Sequence, residues 1–245
     1  FSWGDYIHEV WDSWENDNGL LVVEENNTPI GMCHGVQYHY EKMLWIEGIR
    51  IHQDYRKQGY ATELITHFEK IAVTSGLTSV NMLIESENIN SFTLAKKLGY
   101  EVNSQWNYFP LKSKKNIHYK IKFDQVDVNE IKNLLTLKFV ESWRWIPFTK
   151  SNFKNLNSNQ NILCLKQNNV VQSLATITES NSFEDTIILT IVFGTIAHIH
   201  KIIRYAQNLS AEKGYSKIRI LTQENDLKMS DLGKGFPFYL MQKFL

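Results

Sequence analysis

The chain has 245 residues, 26 Lys plus Arg against 26 Asp plus Glu, and 43% apolar and 13% aromatic side chains. This composition excludes a disordered chain and allows real cores, while the balanced charge supplies no global field to gather nucleic acid or an anionic membrane surface. No run reaches the ~18 consecutive apolar residues of a membrane span and no basic-then-apolar leader is present, so a soluble, cytoplasmic protein is expected. The first residue is Phe1 rather than Met, and the expectation is that upstream residues have been removed or are missing.

In chain order, "VVEENNTPIGMCHGV" (22–36) predicts two strands joined by an Asn-rich turn. "MLWIEGIRI" (43–51) reads as an apolar strand interrupted by a carboxylate, Glu47. "RKQGYAT" (56–62) follows as a basic turn with glycine and small residues where a helix begins. Residues 59–72 place Ala61, Leu64, Ile65, Phe68 and Ile71 on one face of an amphipathic helix, ended by Gly76. Val80, Met82 and Ile84 then alternate with polar residues as a strand, which completes a βαβ unit.

The pattern recurs. "GLTSVNMLIESEN" (76–88) matches "GYSKIRILTQEN" (214–225), and "CLKQNNVVQSLATI" (164–177) matches the first hairpin. An α/β chain of two copies is predicted, residues 1–116 and 117–245, with the boundary in the polar "LKSKKN" (111–116) and its lysines 112, 114 and 115 a solvated linker. One feature is not repeated: the second copy runs "IVFGTIAHIHKII" (191–203) from strand to helix, with a single Gly194 and no basic turn.

A helix start offers unpaired N–H groups and the positive end of a dipole, so a glycine-bearing basic turn there suits an anion. An ordinary connector is the competing reading. Glu47 stands out because a carboxylate in mid-strand is costly without a partner or a role; an exposed face or an ion pair with Arg50 are the alternatives. Cys33 and Cys164 lie in strand-like segments and read as small buried thiols, not a disulfide or metal pair. His34, His39 and His52 have no metal-ligand spacing and read as turn or strand residues, with a substrate-facing position as the second reading for His34; His198 and His200 sit at a helix start, where a structural role is expected, and no metal is expected. "WRWIPF" (143–148) reads as core or interface packing, with a cleft wall as the second reading.

The turn Arg56, Gly59 and Ala61, the strand before it, and the later pattern of Asn88, Leu94, Lys97, Leu98, Gly99 and Tyr100 resemble the GNAT superfamily of acyl-CoA N-acyltransferases. The resemblance covers about residues 5–110 and is weaker beyond. It implies a mixed α/β sheet of tandem GNAT-like domains, with a degenerate C-terminal copy. It further implies an acetyl-CoA co-substrate, with the backbone of Arg56, Lys57, Gln58, Gly59, Tyr60, Ala61 and Thr62 around the pyrophosphate, the strand at Ile49, Arg50 and Ile51 along the pantetheine arm, and Asn88 on that arm or capping the helix after it. Glu47 is the implied base for acetyl transfer to a primary amine, a free amino acid or other small amine, with Glu85 as second choice. The family's tyrosine acid is replaced by Ala95, for which Tyr100 is the nearby substitute. A protein N-terminus or lysine as acceptor, and a non-catalytic acyl-CoA-binding scaffold, stay open, as does the oligomeric state.

Overall fold

The computed structural model describes residues 6–16, 18–115, 121–180 and 183–245. The boundary expected at 116 falls outside the described residues. The chain forms two compact units, Phe1–Gln105 with Phe238–Leu245, and Trp106–Pro237.

The first unit contains helix α1 (Ile7–Asn16), strands β1 (Leu20–Glu25), β2 (Thr28–Tyr38) and β3 (Met43–Ile51), helix α2 (Tyr60–Thr74), β4 (Ser79–Glu85), α3 (Ile89–Lys97) and the start of β5 (Glu101–Lys112). Asn26 and Asn27 both take positive φ, 51° and 61°, which is the two-residue turn that matches the twist of a hairpin. β1, β2 and β3 pair antiparallel and β3 runs parallel to β4. On one face of this sheet α2 buries Leu64, Ile65, Phe68 and Ala72 against Cys33, Leu44, Ile46, Val80, Met82 and Tyr100. The other face carries His34 of β2 with Trp14 of α1 stacked on it.

The last strand of the chain, β12 (Phe236–Phe244), completes this first sheet. It pairs antiparallel with β4 from Phe238↔Glu85 to Phe244↔Ser79. Met241 enters the α2 core, and Lys243 Nζ reaches Glu69 Oε2 of α2 at 2.8 Å.

The second unit contains the hairpin β6 (Lys138–Glu141) and β7 (Arg144–Pro147), α4 (Lys150–Ser158), β8 (Ile162–Gln167), β9 (Val170–Glu179), β10 (Thr186–Phe193), α5 (Ile196–Glu212) and β11 (Lys217–Thr222). The β8–β9 turn again uses two left-handed asparagines, Asn168 and Asn169. β8, β9 and β10 pair antiparallel, β10 runs parallel to β11, and β11 pairs antiparallel with residues 107–112 of β5. Each sequence repeat therefore ends in a strand that completes the other unit's sheet. Ile199, Ile202, Ile203 and Ala206 of α5 cover the core. The aromatic run 143–148 is packing: Trp145 and Phe148 are fully buried, and Trp143 meets Tyr108 and Phe183 edge-on. Residues 223–235 form no helix or strand, whereas the matching stretch of the first unit holds α3.

Candidate active site

The parallel pairing of β3 with β4 runs from Met43↔Ser79 to Ile46↔Met82 and stops there, although β3 continues to Ile51 and β4 to Glu85. The cause lies in β3. Between His34↔Glu47 and Met32↔Arg50, Gly48 and Ile49 stand opposite the single residue Cys33, and Gly48 has φ +66°. This is a glycine bulge, which bends its strand and ends regular pairing. The two strands splay, and the β4-facing edge of residues 47–51 is left outside the β3–β4 ladder.

Glu47 is the residue immediately after the last paired one. Its side chain is only 9% exposed, so it lies on no open strand face. His34 Nδ1 lies 3.0 Å from Oε1, and Trp45 Nε1–H donates to Oε2 at 3.1 Å. An ionised carboxylate only accepts, so His34 carries its proton on Nδ1 in this bond. His34 is fully buried, and its ring stacks on Trp14 with centroids 4.5 Å apart and planes 3° from parallel. Sequence reasoning reads His34 as a strand or turn residue, with a substrate-facing position as the second reading; no local spacing signals its pairing with a residue on the next strand.

Beyond Ile51 the chain passes through a short turn of 3-10 helix, Gln53–Tyr55, and reaches α2 at Gly59. Arg56 Nε donates to Ile51 C=O at 3.1 Å, and Gln58 Nε2 donates to Asp54 C=O at 3.1 Å, so both side chains brace the turn. Lys57 and Gly59 take positive φ, 62° and 102°. Gly59 is the N-cap of α2 and offers no capping side chain. A Cβ built on it would meet nothing within 4 Å, so the approach to the helix end is open. Glu63 N–H bonds to Gly59 C=O at 3.0 Å; the amides of Tyr60, Ala61 and Thr62 precede it and by helix geometry have no intrahelical acceptor. Tyr60 OH donates to Glu25 Oε1 at 3.0 Å, and this bond raises the phenol's pKa. The turn has the features an anion requires: outward amides, the positive helix end and no side chain in the way.

Ile49, Arg50 and Ile51 form the end of β3 beyond the bulge, where Arg50 Nη1 donates to Ile49 C=O at 2.9 Å. Asn88 is the N-cap of α3, with Oδ1 accepting from Ser91 N–H at 3.1 Å. Glu85, at the end of β4, is buried. Ala95 packs into the α2-side core and brings no proton donor. Tyr100 belongs to that same core, on the face opposite the His34–Glu47 pair, and burial followed by the nearby Glu69 charge pushes its pKa well upward. The thiols are free and buried. His200 bonds the Leu227 carbonyl through Nε2 and does structural work in the second unit.

Residues 1–100, which include the splayed strands, α2 and α3, match the acetyltransferase (GNAT) family. The sequence likeness to that family thus lies in residues 1–100. Over 100 residues it is 29% identical to an acetyltransferase of Yersinia pestis, covering 40% of this chain and 70% of that one, and over 101 residues 27% identical to an acetyltransferase of Sodalis glossinidius, covering 41% and 70%. The fold of nearly the whole chain is similar to that of a GCN5-related N-acetyltransferase from Sphaerobacter thermophilus (TM-score 0.63, 10% identity, 97% of this chain and 85% of that one). It is also similar to that of a tandem GNAT protein from the clavulanic acid biosynthesis pathway (TM-score 0.52, 10% identity, 93% and 84%).

Proposed function

We propose that the first unit transfers the acetyl group of acetyl-CoA to a primary amine, a free amino acid or another small amine, with Glu47 as general base. The observation that carries this reading is the coincidence of the splay with Glu47: pairing ends at Ile46, and the next side chain is a carboxylate held by two donors. The amides of residues 57–62 and the open Gly59 suit the diphosphate, with Arg56 and Gln58 bracing the turn. The edge of Ile49, Arg50 and Ile51 can pair through its main chain with an amide-bearing arm, as an added strand would. Asn88 flanks that arm while it caps α3. Bound acetyl-CoA supplies the acyl group as a thioester.

Most primary amines are protonated near neutral pH, and only the neutral form attacks. Glu47 takes the proton that the amine must lose, and its donors keep the carboxylate aimed while it does so. The second unit is proposed as a degenerate copy that binds no acetyl-CoA. For Glu47→Gln the expected result is unchanged acetyl-CoA affinity with turnover reduced about 10²- to 10⁴-fold, the usual contribution of a positioned base. Release of CoA from amine pools, followed with a thiol reagent, measures it; normal turnover in this variant removes Glu47 as the base.

A further inference from the structure

We propose that His34 is a positioning residue for the transferase reaction, locked by Trp14 of α1 so that its Nδ1–H fixes the Glu47 carboxylate. The inference deepens the reading of Glu47 as base and rests on it. A carboxylate rotates freely about its last bond unless both oxygens are held. Here Oε2 is held from its own strand by Trp45, and Oε1 from β2 by His34 at 3.0 Å. The bond across strands is the one that sets the plane, because Trp45 lies only two residues from Glu47 and moves with it.

An imidazole has two ring nitrogens and can turn over, and only one orientation presents Nδ1–H to Oε1. The Trp14 ring lies flat on the imidazole, and His34 has no exposed surface, so the ring has no room to turn. The same bulge that splays β3 makes this arrangement possible. A Cβ on Gly48 would sit 2.3 and 2.4 Å from atoms of the Trp14 ring, so only glycine admits the indole at that depth. Tyr6 packs edge-on against Trp14, ring centroids 6.1 Å apart. A chain of contacts thus runs from α1 through Trp14 and His34 to the base. In the reaction the ammonium N–H bond breaks and the proton passes to a Glu47 oxygen; the freed nitrogen then bonds to the thioester carbonyl carbon as the C–S bond breaks, and the leaving thiolate takes a proton from water. His34 keeps its own proton throughout.

The test separates donor from bulk. His34→Phe keeps a flat ring on Trp14 and removes the donor; His34→Asn places an amide N–H near the position of Nδ1 and gives up the stack. The expected result for His34→Phe is a kcat about 10- to 100-fold lower with the KM for acetyl-CoA unchanged, as for a misaimed group that does not touch the cofactor. His34→Asn is expected to recover much of that loss. Normal kcat in His34→Phe, or equal losses in both variants, overturns the proposal. Should His34→Phe not fold, His34→Leu against His34→Asn reads the same contrast. Glu47→Gln run alongside keeps the failures apart: slow Glu47→Gln with normal His34→Phe defeats the positioning role alone, and normal Glu47→Gln defeats the base and with it the role of His34.

Discussion

The two units use the same hairpin, the same parallel strand pair and the same long helix behind it, and they differ at the end of the parallel ladder and at the helix start. In the second unit β10 stays paired with β11 from Thr186↔Lys217 through Ile191↔Thr222, whereas the first unit's ladder ends at Ile46↔Met82. With Met43↔Ser79 set against Thr186↔Lys217, Glu47 corresponds to Thr190. Thr190 is fully buried, and its hydroxyl accepts from Val140 N–H of β6 at 3.0 Å. The helix starts differ in the same direction. α5 begins at Thr195, whose side chain accepts from His198 N–H, while α2 begins at the bare Gly59. In one unit the ladder runs on past Thr190 and the helix start is capped, and in the other the ladder ends before Glu47 and the helix start has no capping side chain. A repeat therefore keeps its architecture with a few substitutions that close the ladder and cap the helix.

The largest test of this contrast is a carboxylate at each helix start. Gly59→Glu is expected to abolish acetyl-CoA binding, a loss of at least about 100-fold, because a negative side chain fills the anion site at the positive helix end. Thr195→Glu is expected to leave it unchanged, and calorimetric titration should find one site per chain in the parent protein. Two sites, or equal losses, would break the comparison.

Next comes the exchanged strand. Met241→Ala removes a fully buried side chain from the first unit's core and is expected to cost about 2–5 kcal/mol in denaturant unfolding. Acetyl-CoA should offset part of that cost by binding the folded form. A smaller effect is expected for Thr195→Ala, about 1 kcal/mol from the lost cap, with acetyl-CoA affinity intact.

The smallest expected signal is chemical. Burial pushes the Cys164 thiol up to about 11, and burial with the Glu47 charge pushes Cys33 higher still. At pH 8 roughly one Cys164 thiol in a thousand is ionised, so native protein should resist alkylation at both positions and react at both once unfolded. Rapid native labelling of Cys33 would show that the Glu47 strand opens more readily than its packing implies.

Much of this could be read along the chain. The apolar spacing of 59–72 gave α2, the paired asparagines gave both hairpins, and the match of 76–88 with 214–225 gave the repeat. Glu47 stood out as a charged residue within an apolar run. The partner of Glu47 could not be read this way. His34 lies thirteen positions earlier, on another strand, and which residue faces Glu47 depends on a bulge that shifts the register by one. Without Gly48 and Ile49 sharing a place opposite Cys33, every side chain beyond would change faces.

Periodicity and turn chemistry act over a few residues, so the sequence by itself determined the two Asn-turn hairpins, α2 with its glycine start, the strand after it and the repeated pattern. Pairing between strands far apart in the chain is selected by burial and register acting together. Only the tertiary structure could decide that β12 closes the first sheet and β5 the second, that α1 sets Trp14 on His34, and that the ladder opens at Glu47.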